Sequence, residues 1–97
     1  MSAGCTGPGP APVGPVLVPD AAGLQPVGSP LRIDFGRAEA GVIAAVSRLT
    51  GADPSVRRKV PGCGQVVFWP DGLQLVFASG AFRGWAYEGR TAGLICG

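Results

Sequence analysis

Glycine and proline are distributed unevenly along this chain of 97 residues, and their distribution limits how much of the chain can fold. The chain contains 17 Gly and 10 Pro, and thirteen of these lie in residues 1–30, where Asp20 is the only charged residue. Proline removes backbone donors and fixes φ, while glycine adds chain entropy, so such a run favours extended conformers over a packed core. We therefore predict a disordered Gly/Pro-rich arm over residues 1–30 and one small domain over residues 31–97.

The apolar spacing within residues 31–97 predicts an α+β fold, with one helix packed on a small antiparallel β-meander. Leu31–Phe35 alternates apolar and polar residues, as a half-buried strand does. Residues 37–50 place apolar side chains at helical spacing, and Gly51 stands at a C-cap position; the stripe is Val42, Ile43, Val46 and Leu49. Strand-forming runs then follow at 65–69, 73–77, 81–88 and 92–96, and Pro70-Asp71-Gly72 predicts a turn between the first two. The helix should pack across this sheet, because each has one apolar face.

Composition argues against several classes of function. The net charge is only +2, and its one dense basic run, Arg57-Arg58-Lys59, is interpreted as a solvated loop after the helix, so no nucleic acid is expected as a partner. The chain has no histidine, the commonest general base and transition-metal ligand. Most of its carboxylates fall at turns and at the helix start, which explains them without catalysis. We expect no enzymatic activity, no metal and no cofactor.

Two cysteines, Cys63 and Cys96, flank the predicted meander. A domain this small is marginally stable without a covalent or metal staple. In an oxidising compartment the two cysteines could pair, and the chain-entropy model gives such a bridge about 3–4 kcal/mol. The alternative is two buried free thiols in a cytosolic protein.

Aromatic residues are concentrated in the meander, and the strand that begins near Phe82 suggests a binding surface. Strict alternation along it places Arg83, Trp85 and Tyr87 on one face and Phe82 on the other. A face that carries an arginine should meet solvent, and exposed aromatics are favoured in protein interfaces. Arg83, Trp85 and Tyr87 are therefore the predicted partner-binding residues. The alternative is that these rings form the core and cross-strand pairs.

The N-terminus resembles the end of a bacterial lipoprotein signal followed by its tether. Ala3 and Gly4 are the small residues before Cys5, which would be the lipidated residue, and a flexible uncharged run follows. A start codon placed too late would explain the missing apolar stretch before Ser2. Cys5 is then the only expected route to a membrane. The alternative is an incidental cysteine in an ordinary disordered terminus.

The order of elements from Leu31 to Tyr87 resembles bacterial envelope lipoproteins of the outer-membrane assembly type (SmpA/OmlA, BamE-like), or related secreted proteins built from a strand, a helix and a W-x-D-G-L hairpin. Gly36 opens the helix, Leu49–Pro54 is similar to the family's helix stop, and Leu73–Phe82 is similar to its hairpin segment. The resemblance implies a secreted or envelope-located, non-enzymatic scaffold or module that binds a protein. The alternatives are a cytoplasmic binding module, a truncated gene product, or an inhibitor that presents an aromatic loop.

Overall fold

The computed structural model of the chain describes residues 17–96. These residues form one helix and two antiparallel sheets, which confirms the α+β class. The three-stranded sheet has the order β1-β2-β3, with β1 at Leu17–Asp20, β2 at Gly23–Pro26 and β3 at Ile33–Asp34. The helix α1 spans Glu39–Thr50. The five-stranded sheet follows in chain order as β4 Val56–Val60, β5 Gly64–Phe68, β6 Gln74–Ala78, β7 Ala81–Tyr87 and β8 Arg90–Gly93.

The prediction of a disordered arm over residues 1–30 is wrong for residues 17–26, which form a hairpin. Leu24 is fully buried and Leu17 is 6% exposed, and both belong to the main hydrophobic core. Pro19 lies in β1, which is an edge strand of its sheet, where a missing N–H is tolerated. The Asp20 carboxylate accepts a hydrogen bond from the Ala22 amide at 2.9 Å and thereby closes the tight turn. The domain therefore begins earlier than residue 31; residues 1–16 lie outside the described residues.

The helix follows its sequence pattern closely. Val42, Ile43 and Val46 are buried, whereas Leu49, the fourth member of the predicted stripe, is 37% exposed. Gly51 takes the left-handed conformation at φ 73°, and its amide donates to the Ser47 carbonyl at 2.9 Å. This is the C-cap that the sequence predicted.

The two sheets share one core on the helix side of the five-stranded sheet. Leu17, Leu24 and Ile33 from the small sheet join the buried residues of the helix and of β5, β6 and β7 in one cluster. The segment between β3 and α1 is also joined to β7, since the Gly36 amide donates to the Phe82 carbonyl at 2.7 Å. The Phe35 ring also meets the Phe82 ring edge-on, with centroids 5.0 Å apart. The N-terminal hairpin is thus an integral layer of the domain.

The structure differs from two of the predictions for the meander. Residues 56–60, which include the basic run read as a solvated loop, form the edge strand β4. The last strand spans Arg90–Gly93 instead of residues 92–96. The Pro70–Gly72 turn between β5 and β6 forms as predicted, with the Gly72 amide donating to the Trp69 carbonyl at 3.0 Å.

Candidate protein-binding site

The partner-binding surface predicted from Arg83, Trp85 and Tyr87 does not form one exposed face. Arg83 is exposed, but Trp85 is only 3% exposed and Tyr87 is half-buried against the core. The Trp85 indole Nε1 donates to the backbone carbonyl of Asp20 at 2.7 Å, so its polar atom is used inside the molecule. The prediction that Trp85 is a solvent-facing anchor is therefore wrong.

A β-bulge at Arg83 explains the error. Phe77 of β6 lies opposite Phe82, and Val76 lies opposite Gly84, so Arg83 has no partner on β6. One extra residue reverses the alternation beyond it. Trp85, opposite Leu75, therefore shares the core face with Phe82, whereas Arg83 is left in solvent. Strict alternation from Phe82 cannot anticipate this reversal.

Tyr87 lies at the end of β7, partly buried against the core and close to charged residues. Burial, with the nearby carboxylates of Glu88 and Asp71, raises the pKa of the Tyr87 hydroxyl above its ordinary value. The Arg90 guanidinium lies 6.0 Å from the centre of the Trp85 ring. Tyr87 is therefore only partly available at the surface, packed against the core on one side.

The structure joins Cys63 and Cys96, the two cysteines predicted to pair. Their Cα atoms are 5.8 Å apart, within the range of disulfides. The bridge links the turn between β4 and β5 to the chain after β8, across 33 residues of sequence. Cys5, the predicted lipidation residue, lies outside the described residues.

The chain after β8 returns across the sheet face that is turned away from the helix. The Leu94 amide donates to the Arg83 carbonyl at 2.9 Å, and a Cβ on Gly84 would collide with the Leu94 carbonyl oxygen. Val76 and Val66 lie in the same cross-strand row as Gly84, and both are buried although they lie outside the main core. The disulfide fixes the end of this crossing segment.

The edge strand β4 is the most strongly charged element of the described chain. It contains Arg57, Arg58 and Lys59, three of the eight basic residues in the sequence, and no acidic residue. Within residues 17–96 its only strand partner is β5, and four of its five residues are exposed. Among the described residues, one edge of β4 therefore presents backbone N–H and C=O groups that no strand pairs with.

Cross-strand pairing assigns the basic side chains to the two faces of the sheet. Arg57 lies opposite Val67, a core residue, so Arg57 faces the helix side. Arg58 lies opposite Val66 on the other face, and its guanidinium stands 5.5 Å from the centre of the Phe68 ring. That contact is a cation–π interaction, which orients Arg58 over an aromatic surface.

A groove of about 500 Å³ separates α1 from β4. The helix lines it with small residues and one larger apolar residue, and the strand side closes it with a turn and a basic residue; the lining is Ala40, Ile43, Ala44, Ser47, Asp53, Pro54 and Arg57. Ala40, Ala44 and Ser47 are spaced by four and three residues, so they share one helix face. Arg57 brings β4 into the lining, so the groove meets the edge strand at Arg57.

Ser47 supplies the only polar helix side chain in this groove. Its Oγ atom is buried and has no hydrogen-bond partner among the described residues. A buried hydroxyl without a partner is unfavourable. Because the Oγ atom itself is buried, it is not open to a ligand in the groove.

A second cavity, of about 590 Å³, lies at the other end of β4, around the disulfide turn. Glu39, Lys59, Cys63 and Gln65 are among its lining residues. The Gln65 side-chain amide donates to the Glu39 carboxylate, so this carboxylate is already engaged. The cavity therefore places one negative group close to Lys59.

No group of three or more His, Cys, Asp or Glu side chains within residues 17–96 is placed to hold a metal ion. No helix in that range has the length and apolar character needed to cross a membrane.

Comparison with family models, curated proteins and solved structures finds no match for this chain.

Proposed function

We propose that this chain is a non-enzymatic protein-binding module, and that it binds its partner along the edge of β4. The observation that carries the proposal is the exposed edge strand β4 beside the groove under α1. An extended segment of a partner can add to such an edge through main-chain hydrogen bonds, with its alternate side chains in neighbouring pockets. The site therefore combines a source of affinity with a source of specificity.

We further propose that the module works in the cell envelope or is secreted. The placement of Cys63 and Cys96 at bonding distance supports this location, because disulfides persist in oxidising compartments. The resemblance to envelope lipoproteins of the outer-membrane assembly type supports it as well, with Cys5 as the lipid-anchored residue. In the cytoplasmic alternative, both thiols would stay reduced.

The binding proposal is tested by site-specific photo-crosslinking in cells that make the protein. A photoreactive residue at position 59, on β4, is expected to trap a partner protein. The matched control is position 91, an exposed residue of β8, the strand at the opposite edge of the five-stranded sheet. No adduct is expected there. Equal adducts at both positions, or an adduct only at position 91, would refute the β4 site.

The location is tested by intact-mass measurement of the protein isolated from fractionated cells. An envelope fraction that carries a lipid-sized mass increase on Cys5 and lacks free thiols at Cys63 and Cys96 is expected. A cytoplasmic protein with three free thiols would support the alternative instead.

A further inference from the structure

We infer that the partner segment is an extended acidic strand, in which carboxylate side chains alternate with small apolar ones. This inference rests on the proposed function, because it names the chemistry of the partner at that same site. It follows from three features of the β4 edge: its exposed backbone, the size of the groove and the distribution of charge.

The backbone of β4 dictates an extended partner. Alternate residues of an edge strand direct their N–H and C=O groups away from the sheet, so a five-residue edge accepts a similarly short strand. A helical partner satisfies its backbone internally and would leave these groups unpaired. The added segment would become the sixth strand of the sheet.

The groove dictates small apolar side chains on the helix-facing side of that segment. Every second side chain of an added strand would point toward α1. Ala40 and Ala44 leave room there, while Ile43 supplies an apolar wall. Side chains of the size of alanine or valine would bury apolar surface in this space.

Charge dictates acidic side chains on the opposite side of the segment. On the helix side, the carboxylates of Asp53 and Glu39 line the same two cavities as Arg57 and Lys59, so that side carries charges of both signs. On the other face, Arg58 is held over Phe68. Phe68 belongs to β5, so a carboxylate at the facing position of the partner would attract this guanidinium from the other side of β4.

The same charges disfavour pairing of β4 with a second copy of the chain. Two such edges would bring six basic side chains together across one strand pair, three from each copy. Like charges directly opposite each other are destabilising, and basic residues are a common protection of exposed edges. The charge of β4 therefore disfavours pairing with a second β4 and favours pairing with an acidic strand.

The test uses end-blocked seven-residue peptides and the full-length disulfide-bonded protein, followed by NMR titration of backbone amides. A peptide of alternating glutamate and valine is expected to shift the amides of β4 and of residues 40–47. A peptide of alternating lysine and valine is expected to bind at least about tenfold more weakly. A higher salt concentration should weaken binding of the glutamate peptide, since the attraction is partly between exposed charges.

Two variants test whether Arg58 attracts the glutamate peptide. Arg58→Glu should raise the dissociation constant of the glutamate peptide about tenfold. Arg83→Glu makes the same charge change at the exposed bulge of β7 and should leave the affinity within about twofold. Circular dichroism confirms that both variants are folded; if Arg58→Glu unfolds, the comparison of the two peptides on the unmodified protein decides alone.

Equal binding of the two peptides, or shifts confined to residues away from β4 and α1, would overturn the inference. Dimerisation of the protein through β4 in sedimentation experiments would also overturn it. Failure of the glutamate peptide together with a specific adduct at position 59 would reject the acidic strand and retain the β4 binding site. Failure of both experiments would reject the site itself.

Discussion

The indole Nε1 of Trp85 donates a hydrogen bond to the backbone carbonyl of Asp20 at 2.7 Å, across 65 residues of sequence. The bond ties the first described hairpin to the β7 strand of the larger sheet. It lies beside the core cluster, where Leu17 and Leu24 pack with the residues of the five-stranded sheet. The N-terminal hairpin and the meander are therefore expected to unfold together.

Trp85→Phe should lower the free energy of unfolding by about 1–3 kcal/mol, because the Asp20 carbonyl loses its donor and the smaller ring leaves a gap. Urea denaturation measures the loss, and amide exchange within residues 17–26 should accelerate. Tyr87→Phe is the control, since its ring is only half-buried, and it should change stability by less than about 0.5 kcal/mol. Unchanged exchange in the hairpin of Trp85→Phe would show that the bond does not hold it.

The disulfide should account for a large part of the stability of this domain. Replacing both Cys63 and Cys96 by serine removes a closure across 33 residues and should cost about 3–4 kcal/mol. A reductant should lower the urea midpoint of the unmodified protein to that of the double variant, and should not affect the variant. Identical midpoints without reductant, with free thiols detected by mass spectrometry, would contradict the bridge.

Local patterns in the sequence predicted the helix and the central turn, because neighbouring residues determine both. The helix has apolar residues at its buried positions and Gly51 at the left-handed C-cap. The turn before β6 has proline and glycine where their backbone preferences are needed. No long-range contact has to be known to recognise either element.

The remaining features depend on contacts that local patterns do not contain. The Gly/Pro content of residues 1–30 suggested coil, yet Pro19 lies on an edge strand and Pro26 ends β2, where each is tolerated. The bulge at Arg83 breaks the period of two on which the predicted aromatic surface depended. The β4 edge and its groove were missed because a basic run resembles a solvated loop; Val56 and Val60, the β-branched residues that flank it, were the available signal.

The Asp20–Arg32 ion pair should make the stability of the N-terminal hairpin depend on acidic pH. The Arg32 guanidinium donates to both carboxylate oxygens of Asp20, at 2.8 and 2.9 Å, and lowers the pKa of Asp20 below its usual 3.8. A lowered folded-state pKa means that the ionised carboxylate stabilises the fold above about pH 4. That contribution should be lost as the pH falls through the folded-state pKa.

Melting temperatures of the unmodified protein and of Asp20→Asn, recorded from pH 6 to pH 2, measure this contribution. The unmodified protein should be the more stable at pH 6, and the two curves should converge in acid. Asp53→Asn, a change at an exposed carboxylate, serves as the control for general charge effects. A difference between the Asp20→Asn and unmodified curves that stays constant down to pH 2 would exclude titration of Asp20 as its source.

Glycine at position 84 is expected to be required for the crossing of the C-terminal segment. A Cβ there would overlap the Leu94 carbonyl oxygen and crowd the Leu94 amide, both of which are backbone atoms that cannot rotate away. Gly84→Ala should therefore displace the segment that leads to Cys96 and destabilise the protein by about 1–3 kcal/mol. Thermal unfolding under non-reducing conditions measures the loss, and the Cys63–Cys96 bond should become easier to reduce.

Gly41→Ala is the matched control, because it adds the same methyl group at a helix position with no neighbouring atom within 4 Å. Alanine has a higher helix propensity than glycine, so this variant should be more stable by about 0.5–1 kcal/mol. The two identical substitutions should thus shift the melting temperature in opposite directions. If Gly84→Ala is as stable as the unmodified protein, the chain after β8 does not cross β7 at this point. Some other segment must then shield Val66 and Val76 from solvent.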